Sequence, residues 1–247
     1  LFHEKIVLIL VEDSNYVPTD IVPSMTTFDE NIAIGTSVST LTTIDNDATD
    51  THTLTLVSGA GSTDNTYFSI SGNTLVTDSA INFEHKNVFY IRVKSTDPGN
   101  ASVVKTFTLN ANDINEAPTN IKLLGDSIIE LAPINTLIGN FSSIDEDAGS
   151  THTYSLATGT GDTDNALFVI SGNQLLSNSS FTFSGQYYSI RVASIDNGGL
   201  TFEKVFSIKI LNLNEGPTDI IIDTLSLNED NEPNFYISKI RSVDTDR

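Results

Sequence analysis

Apolar residues recur at every second position in short runs along this chain. "SVSTLTTI" (37–44) sets Val38, Leu41 and Ile44 among hydroxyls, with one break in step. "THTLTLV" (51–57) puts Leu54 and Leu56 on one face. "YFSIS", "YIRVKS" and "KTFTLNA" pair Phe68 with Ile70, Ile91 with Val93, and Phe107 with Leu109. A period of two predicts half-buried strands with one face on a core. Gly-rich "SGAGST" and "ISGNT" between them supply turns that need positive φ. No window keeps a 3.6-residue apolar period for ten residues or more, so almost no helix is predicted.

The pattern repeats. "PTDI" begins at Pro18, "PTNI" at Pro118, and "PTDI" again at Pro217. "THTLTLVSGAGSTDNTYFSISGNTLV" (51–76) answers "THTYSLATGTGDTDNALFVISGNQLL" (151–176), and "FYIRVKSTDPG" answers "YSIRVASIDNG". Self-similarity at a fixed period near one hundred residues marks tandem modules. Residues 18–117 and 118–216 are predicted as two full repeats. Residues 1–17 align with "VVKTFTLNANDINEAP" and are predicted as the last strand of a preceding repeat. Residues 217–247 are predicted as the truncated start of a third. That piece is too short to bury its own core, so it is expected to be disordered or docked on its neighbour. Roughly seven short strands per repeat predict an all-β protein, built of tandem immunoglobulin-like Greek-key β-sandwiches. The nine residues from Asn112 to Asn120 join the two full repeats, and Pro118 stiffens them.

Charge narrows the function. Acidic residues number 32 against 12 basic, for a formal net charge of -20. Such a surface repels nucleic acid and anionic lipid and attracts cations. There is no Cys, so disulfides, thiolate metal sites and Cys nucleophiles are excluded. No apolar stretch approaches the 18 or so residues of a membrane-spanning helix, and no signal peptide is visible. The start at Leu1 and the end in "VDTDR" suggest a piece of something longer. A G-x-S-x-G elbow and a Gly-rich phosphate loop are both missing, and the paired carboxylates recur at every joint. No enzyme is expected.

The acids cluster by position. In a sandwich, alternate loops emerge at opposite ends. Glu30, Glu84 and the linker acids would lie at the far end of repeat 1, with Asp45, Asp47 and Asp97 at its near end. Asp145, Asp147 and Asp196 would lie at the near end of repeat 2. Far and near sets would then meet across the linker as six to eight oxygen groups. Calcium takes about six to eight oxygens at roughly 2.3–2.6 Å in forgiving geometry. Magnesium prefers more water, and zinc prefers Cys and His. Asp64, Asn65, Asp164 and Asn165 sit in "TDN" turns and are read as turn formers. His52 and His152 hold the same place in both repeats without metal spacing and are read as strand-face packing.

These motifs resemble those of the cadherin repeat, in the form found in long bacterial surface proteins. Glu30 matches the family's first Glu. "INFE", with Glu84, matches its L-D-R-E box. Asp113, Asn115 and Glu116 match its D-x-N-D linker. Asp145 and Asp147 match the D-x-D of the following repeat, and Asp196 its last Asp. The resemblance implies that these eight residues bind Ca2+ at the main joint. Asn82 stands where the box has Asp, Glu116 replaces the linker Asp, and the linker is one residue shorter, so either two or three ions fit. The upstream joint would use Asp13, Asn15, Asp45, Asp47 and Asp97, with Tyr16 at the acidic linker position. Downstream, Glu130, Asn214, Glu215, Asp244 and Asp246 remain, but Ser184 and Asn212 replace two acids, implying weaker calcium binding. The implied role is an extracellular, calcium-rigidified spacer or adhesion module on the cell surface or in a secreted protein. Its partners would be neighbouring repeats of the chain and protein or glycan ligands on other cells, with no nucleic acid and no direct membrane insertion. The alternative is a carbohydrate-binding or accessory module of a large secreted enzyme. That needs an aromatic platform, for which Tyr67, Tyr187 and Tyr188 are the modest candidates in a chain without Trp. The absence of Trp also argues against adhesion by exchange of an amino-terminal strand.

Overall fold

The computed structural model describes residues 2–8, 14–223, 229 and 238–244. It divides into two units, residues 1–114 and 115–247. Both are built from strands, and among the described residues the only helical pieces are single 3-10 turns at Asn65–Tyr67 and Asn165–Leu167.

The first unit holds β1 (Asp20–Pro23), β2 (Thr27–Asp29), β3 (Ser37–Ile44), β4 (Thr53–Leu56), β5 (Phe68–Ser71), β6 (Thr74–Thr77), β7 (Val88–Thr96) and β8 (Ser102–Asn112). One sheet runs β1-β3-β6-β5 and the other β2-β8-β7-β4, the crossed connectivity of a Greek-key sandwich. The seven strands expected are present, the first of them split between the sheets. Its opening half pairs antiparallel with β3, and its closing half pairs parallel with β8. The crossing point is satisfied locally. The buried Ser39 hydroxyl donates to the Met25 carbonyl at 2.8 Å and accepts the Met25 N–H at 3.2 Å.

The core lies between the sheets. Ile21, Leu41, Leu75, Phe89, Ile91, Val93 and Leu109 are almost fully buried. Leu54, Phe68 and Phe107 join them, while Leu56 and Ile70 pack at the margin. Ile44, expected inside, is 45% exposed. The β3–β6 register shifts between Ser37 and Ser39, so Val38 and Ser39 are both buried. Beyond that bulge the odd-numbered residues face the core. Thr43 therefore turns inward, where its hydroxyl meets that of the buried Ser95 at 2.6 Å, and Ile44 turns out.

The second unit repeats the plan with β9 (Asn120–Leu124), β10 (Ser127–Ile129), β11 (Leu137–Ile144), β12 (His152–Leu156), β13 (Phe168–Ser171), β14 (Gln174–Ser177), β15 (Tyr187–Asp196) and β16 (Thr201–Leu211). Its sheets run β9-β11-β14-β13 and β10-β16-β15-β12. Tyr154 replaces Leu54, stacks on Phe141 at 5.3 Å, and sends its hydroxyl to Ser143 at 3.1 Å. Where Ser39 bridges to Met25, this unit has Gly139, whose missing Cβ would lie 2.1 Å from the Gly125 carbonyl oxygen. Two close-packed glycines thus do sterically what the serine does by hydrogen bonding. In both units a two-residue turn with Gly first, Gly72 at φ 63° and Gly172 at φ 60°, joins the last two strands of the first sheet.

Two further strands, β17 (Asp219–Ile222) and β18 (Ile240–Val243), pair antiparallel. Their register matches that of β1 with β3 and of β9 with β11: Asp20 opposes Ile44, Asn120 opposes Ile144, and Asp219 opposes Val243. Residues 2–8, for which a last strand is predicted, belong to no strand. The counterpart strand β8 is held from Ser102 to Asn110 by β7 of its own sandwich, and residues 2–8 have no such partner among the described residues.

Candidate metal centre

At the far end of the first unit, the parallel pairing of β2 with β8 sets Asp29 opposite Asn112. Glu30 is the next residue on one strand and Asp113 the next on the other, and the Glu30 N–H donates to the Asn112 carbonyl at 3.2 Å. Glu30 is only 2% exposed. Its Oε2 accepts the Phe83 N–H at 2.5 Å and its Oε1 accepts the Ile114 N–H at 3.0 Å. One side chain therefore ties the loop carrying Glu84 to the linker carrying Asp113. Carboxylate oxygens of Glu30, Glu84 and Asp113 all lie within 4.8 Å of one another. Each pair of negative charges at that spacing repels by roughly 1 kcal/mol in water and roughly 3 kcal/mol nearer a protein interior. A hard divalent cation would turn that repulsion into attraction, and the donors are all oxygen, as such a cation requires.

The near end of the same unit gathers a second set. Asp45 follows β3. Its Oδ1 accepts the Asp47 N–H at 3.1 Å, and its Oδ2 lies 2.9 Å from His52 Nε2. The Tyr16 N–H donates to Asp47 Oδ2 at 2.6 Å, and Asn15 Nδ2 donates to Asp97 Oδ2 at 3.0 Å. The His52 hydrogen bond and the Asp47 N–H hold the Asp45 carboxyl below its ordinary value. Asp50 is pushed the other way, first by burial and then by the charges of Asp47, Asp45 and Asp97. Asn15, Asp45, Asp47 and Asp97 are thus brought together, while Asp13 lies outside the described residues.

The second unit reproduces this near end. Asp145 Oδ1 accepts the Asp147 N–H at 3.2 Å, and its Oδ2 lies 2.7 Å from His152 Nε2. Asp147 Oδ2 accepts the Glu116 N–H at 2.9 Å. Asn115 Nδ2 donates to Asp196 Oδ2 at 3.1 Å, and the Leu200 N–H donates to Asp196 Oδ1 at 2.9 Å. Burial works to raise the Asp196 carboxyl, but the Asn115 amide and the N–H groups of Leu200, Gly198 and Gly199 outweigh it and hold it below its ordinary value. Asp147 Oδ1 is buried and accepts no hydrogen bond. A bare buried carboxylate oxygen beside further carboxylates fits a cation ligand. Asn115 is seated by a missing side chain: a Cβ on Gly198 would lie 2.2 Å from Asn115 Oδ1, just as one on Gly99 would lie 2.5 Å from Asn15 Oδ1.

At the far end of the second unit, Glu130 repeats the Glu30 bonds. It accepts the Phe183 N–H at 2.8 Å and the Leu213 N–H at 3.2 Å. Ser184 and Asn212 stand beside it in place of acids, and among the described residues no group of three acidic or imidazole side chains forms around it. Asn214 bonds the Glu215 carbonyl at 3.4 Å. Asp244 directly follows β18, as Asp45 follows β3 and Asp145 follows β11. Asp246 lies outside the described residues.

Two readings of the sequence need correction. His52 and His152 are not simple strand-face packing, because each is hydrogen-bonded to the first carboxylate of an Asp-x-Asp pair. The signal was their equal offset from Asp45 and Asp145 in both repeats. Asp64 and Asp164 do more than form turns. Asp64 Oδ2 accepts the Tyr90 N–H at 2.8 Å, and Asp164 Oδ2 accepts the Ser189 N–H at 2.7 Å. Asn65 and Asn165 likewise accept the Arg92 and Arg191 N–H groups, both at 3.0 Å. The "TDN" segment is therefore a staple from a 3-10 turn onto the long strand beside it. Of the three tyrosine candidates, only Tyr187 is exposed. Tyr67 stands edge-on to Phe89 and Tyr188 edge-on to Phe181, each at 5.1 Å. They are packing residues and form no platform.

No family model matches the chain. Solved structures resemble it in fold. Human protocadherin-24 EC1-2 is 22% identical, covering 79% of this chain and 100% of its own, with a TM-score of 0.61. Protocadherin gamma B2 cadherin domains 3-6 are 19% identical, covering 92% of this chain and 59% of their own, with a TM-score of 0.60. The protocadherin gamma B4 extracellular domain is 23% identical over 92% of this chain and 40% of its own, with a TM-score of 0.59. The β-sandwiches described above have the cadherin-repeat fold.

Proposed function

We propose that this chain is a calcium-binding, calcium-rigidified stretch of extracellular repeats from a cell-surface or secreted adhesin of the long bacterial kind, acting as spacer and adhesion module. The observation that carries the reading is the trio Glu30, Glu84 and Asp113, whose oxygens converge within 4.8 Å. The bare buried Oδ1 of Asp147 supports it from the second unit. Only Ile114 separates Asp113 from Asn115 in the chain. On this reading Glu30, Glu84, Asp113, Asn115, Glu116, Asp145, Asp147 and Asp196 share two or three calcium ions. Asn15, Asp45, Asp47 and Asp97, with Asp13, serve the upstream joint. Glu130, Asn214, Glu215, Asp244 and Asp246 serve a weaker one downstream. The partners are neighbouring repeats and protein or glycan ligands on other cells.

The chemistry is that of a clamp. Without the ion, crowded carboxylates repel and the linker flexes. With it, oxygens from consecutive modules share one charge and the linker stiffens. An ion in hundredfold excess over its dissociation constant adds about 2.7 kcal/mol of stability. For a module of about one hundred residues, that raises the melting temperature by roughly 13 °C. The test is a calcium titration of the whole chain, followed by X-ray scattering and thermal melting. Elongation and a higher melting point are expected, and Asp113→Ala with Glu116→Ala abolishes both. Identical dimensions and melting in chelator and in saturating calcium would refute the reading.

A further inference from the structure

We propose that His52 and His152 are positioning residues for calcium: each immobilises the first carboxylate of its Asp-x-Asp pair, which in turn aims the second at the ion. The inference rests on the calcium reading above.

The bonds form one relay. His152 stands at the head of β12, directly opposite Asp196 in the β12–β15 register, so a strand fixes its backbone. From there Nε2 reaches Asp145 Oδ2 at 2.7 Å, with the two side chains 11% and 4% exposed. The other oxygen of Asp145 accepts the Asp147 N–H, so both oxygens of this carboxylate are engaged by the protein. Asp147 then gives Oδ2 to the Glu116 N–H and is left with a buried Oδ1 that has no hydrogen bond. In this relay the first aspartate organises the loop and keeps a second lone pair on each oxygen for the ion, while the second aspartate keeps a whole oxygen open.

The first unit repeats the relay with a different linker. His52 lies 2.9 Å from Asp45, with side chains 13% and 3% exposed, and Asp45 accepts the Asp47 N–H. Asp47 Oδ2 takes the N–H of Tyr16, the residue standing where the second unit has Glu116. The linker side chain changes from acid to phenol, yet the imidazole–carboxylate bond is kept. A neutral imidazole with its proton on Nε2 suffices for the bond, so no charge on the histidine is required. A hydrogen-bonded partner behind a metal-ligand carboxylate commonly contributes about 10–100-fold in metal affinity.

The experiment compares His152→Phe with His152→Gln in the full chain, by calorimetric calcium titration and by melting in chelator. His152→Phe is expected to weaken calcium binding at the main joint by about 10-fold or more. His152→Gln, which keeps an N–H donor, is expected to retain most of the wild-type affinity. Melting in chelator reads the purely structural share. If His152→Phe lowers that melting point but binds calcium as the wild type does, the histidine is structural only and the proposal fails. Equal loss of affinity in Phe and Gln variants also overturns it, because the donor is then not what matters. If the wild type binds no calcium at all, the functional reading and this inference fall together.

Discussion

Replacing Glu30 by alanine separates its two roles. In chelator, its hydrogen bonds and its charge act without the ion. Glu30 is 2% exposed and accepts the N–H of Phe83 at 2.5 Å and that of Ile114 at 3.0 Å. Hydrogen bonds to a charged acceptor contribute about 1.5–3 kcal/mol each, giving roughly 3–6 kcal/mol for the pair. Removing the charge also relieves repulsion with Glu84 and Asp113, about 1 kcal/mol each at water-like dielectric. The net expectation for Glu30→Ala is a loss of about 1–4 kcal/mol, and a drop in melting temperature of roughly 5–20 °C for the first module. Glu30→Gln keeps one carbonyl acceptor and sheds the same charge, so about half that loss is expected. Glu130→Ala provides an internal comparison. Its two bonds are similar, 2.8 and 3.2 Å, but it is half-buried and among the described residues has no acidic trio around it, so about 1–2 kcal/mol is expected. The assay is thermal unfolding followed by near-ultraviolet circular dichroism in chelator, repeated in calcium. Both Glu30 variants should also lose the calcium-dependent rise. A Glu30→Ala protein within about 0.5 kcal/mol of wild type in chelator would refute the claim that this carboxylate staples the far end.

Gly198→Ala is expected to expel Asn115, since the new Cβ would sit 2.2 Å from its Oδ1. Calcium affinity should fall by calorimetry, whereas Gly216→Ala, with open space at its Cβ, should leave it unchanged. Ser95→Ala strands the Thr43 hydroxyl, but after Ser194→Ala the Ser143 hydroxyl still has Tyr154 at 3.1 Å. Denaturant titration should therefore show the first substitution costing about 1–2 kcal/mol and the second about 0.5–1 kcal/mol. Burial pushes the Asp64 carboxyl up, but Lys86 at 2.7 Å and the Tyr90 N–H pull it below its ordinary value. Stability from Asp64 is thus complete above the unfolded value of about 3.9 and is lost as pH falls through the lower folded value. Lys86→Met should cost about 1–2 kcal/mol at pH 7, discounted for the partly exposed ammonium. That cost should shrink below about pH 3.9 in a pH series of unfolding midpoints, though not vanish, because Lys86 also lies over the Phe89 ring at 5.6 Å.

The fold was legible in the chain because its information is local and repeated. Alternation of apolar and hydroxyl residues sets which face of each strand is buried, Gly72 and Gly172 set the tight turns, and the recurrence of "PTDI" and "THT" marks copies of one plan. The acids at the module ends could be listed for the same reason, since most of them, such as Glu30, Asp45, Asp97, Asp113 and Asp145, directly follow a strand that the pattern locates. What the sequence could not supply depends on registers between strands far apart in the chain. The bulge at Ser37/Ser39 turned Ile44 to solvent and Thr43 inward, and nothing in "SVSTLTTI" says where the extra residue falls. The pairing of β12 with β15 decided that His152 would meet Asp145 instead of packing as an ordinary strand residue. The parallel pairing of β2 with β8 decided that Glu30, Glu84 and Asp113 would converge. Side-chain type and spacing are properties of the chain, but the distance between two carboxylates is set by which backbones hydrogen-bond to each other.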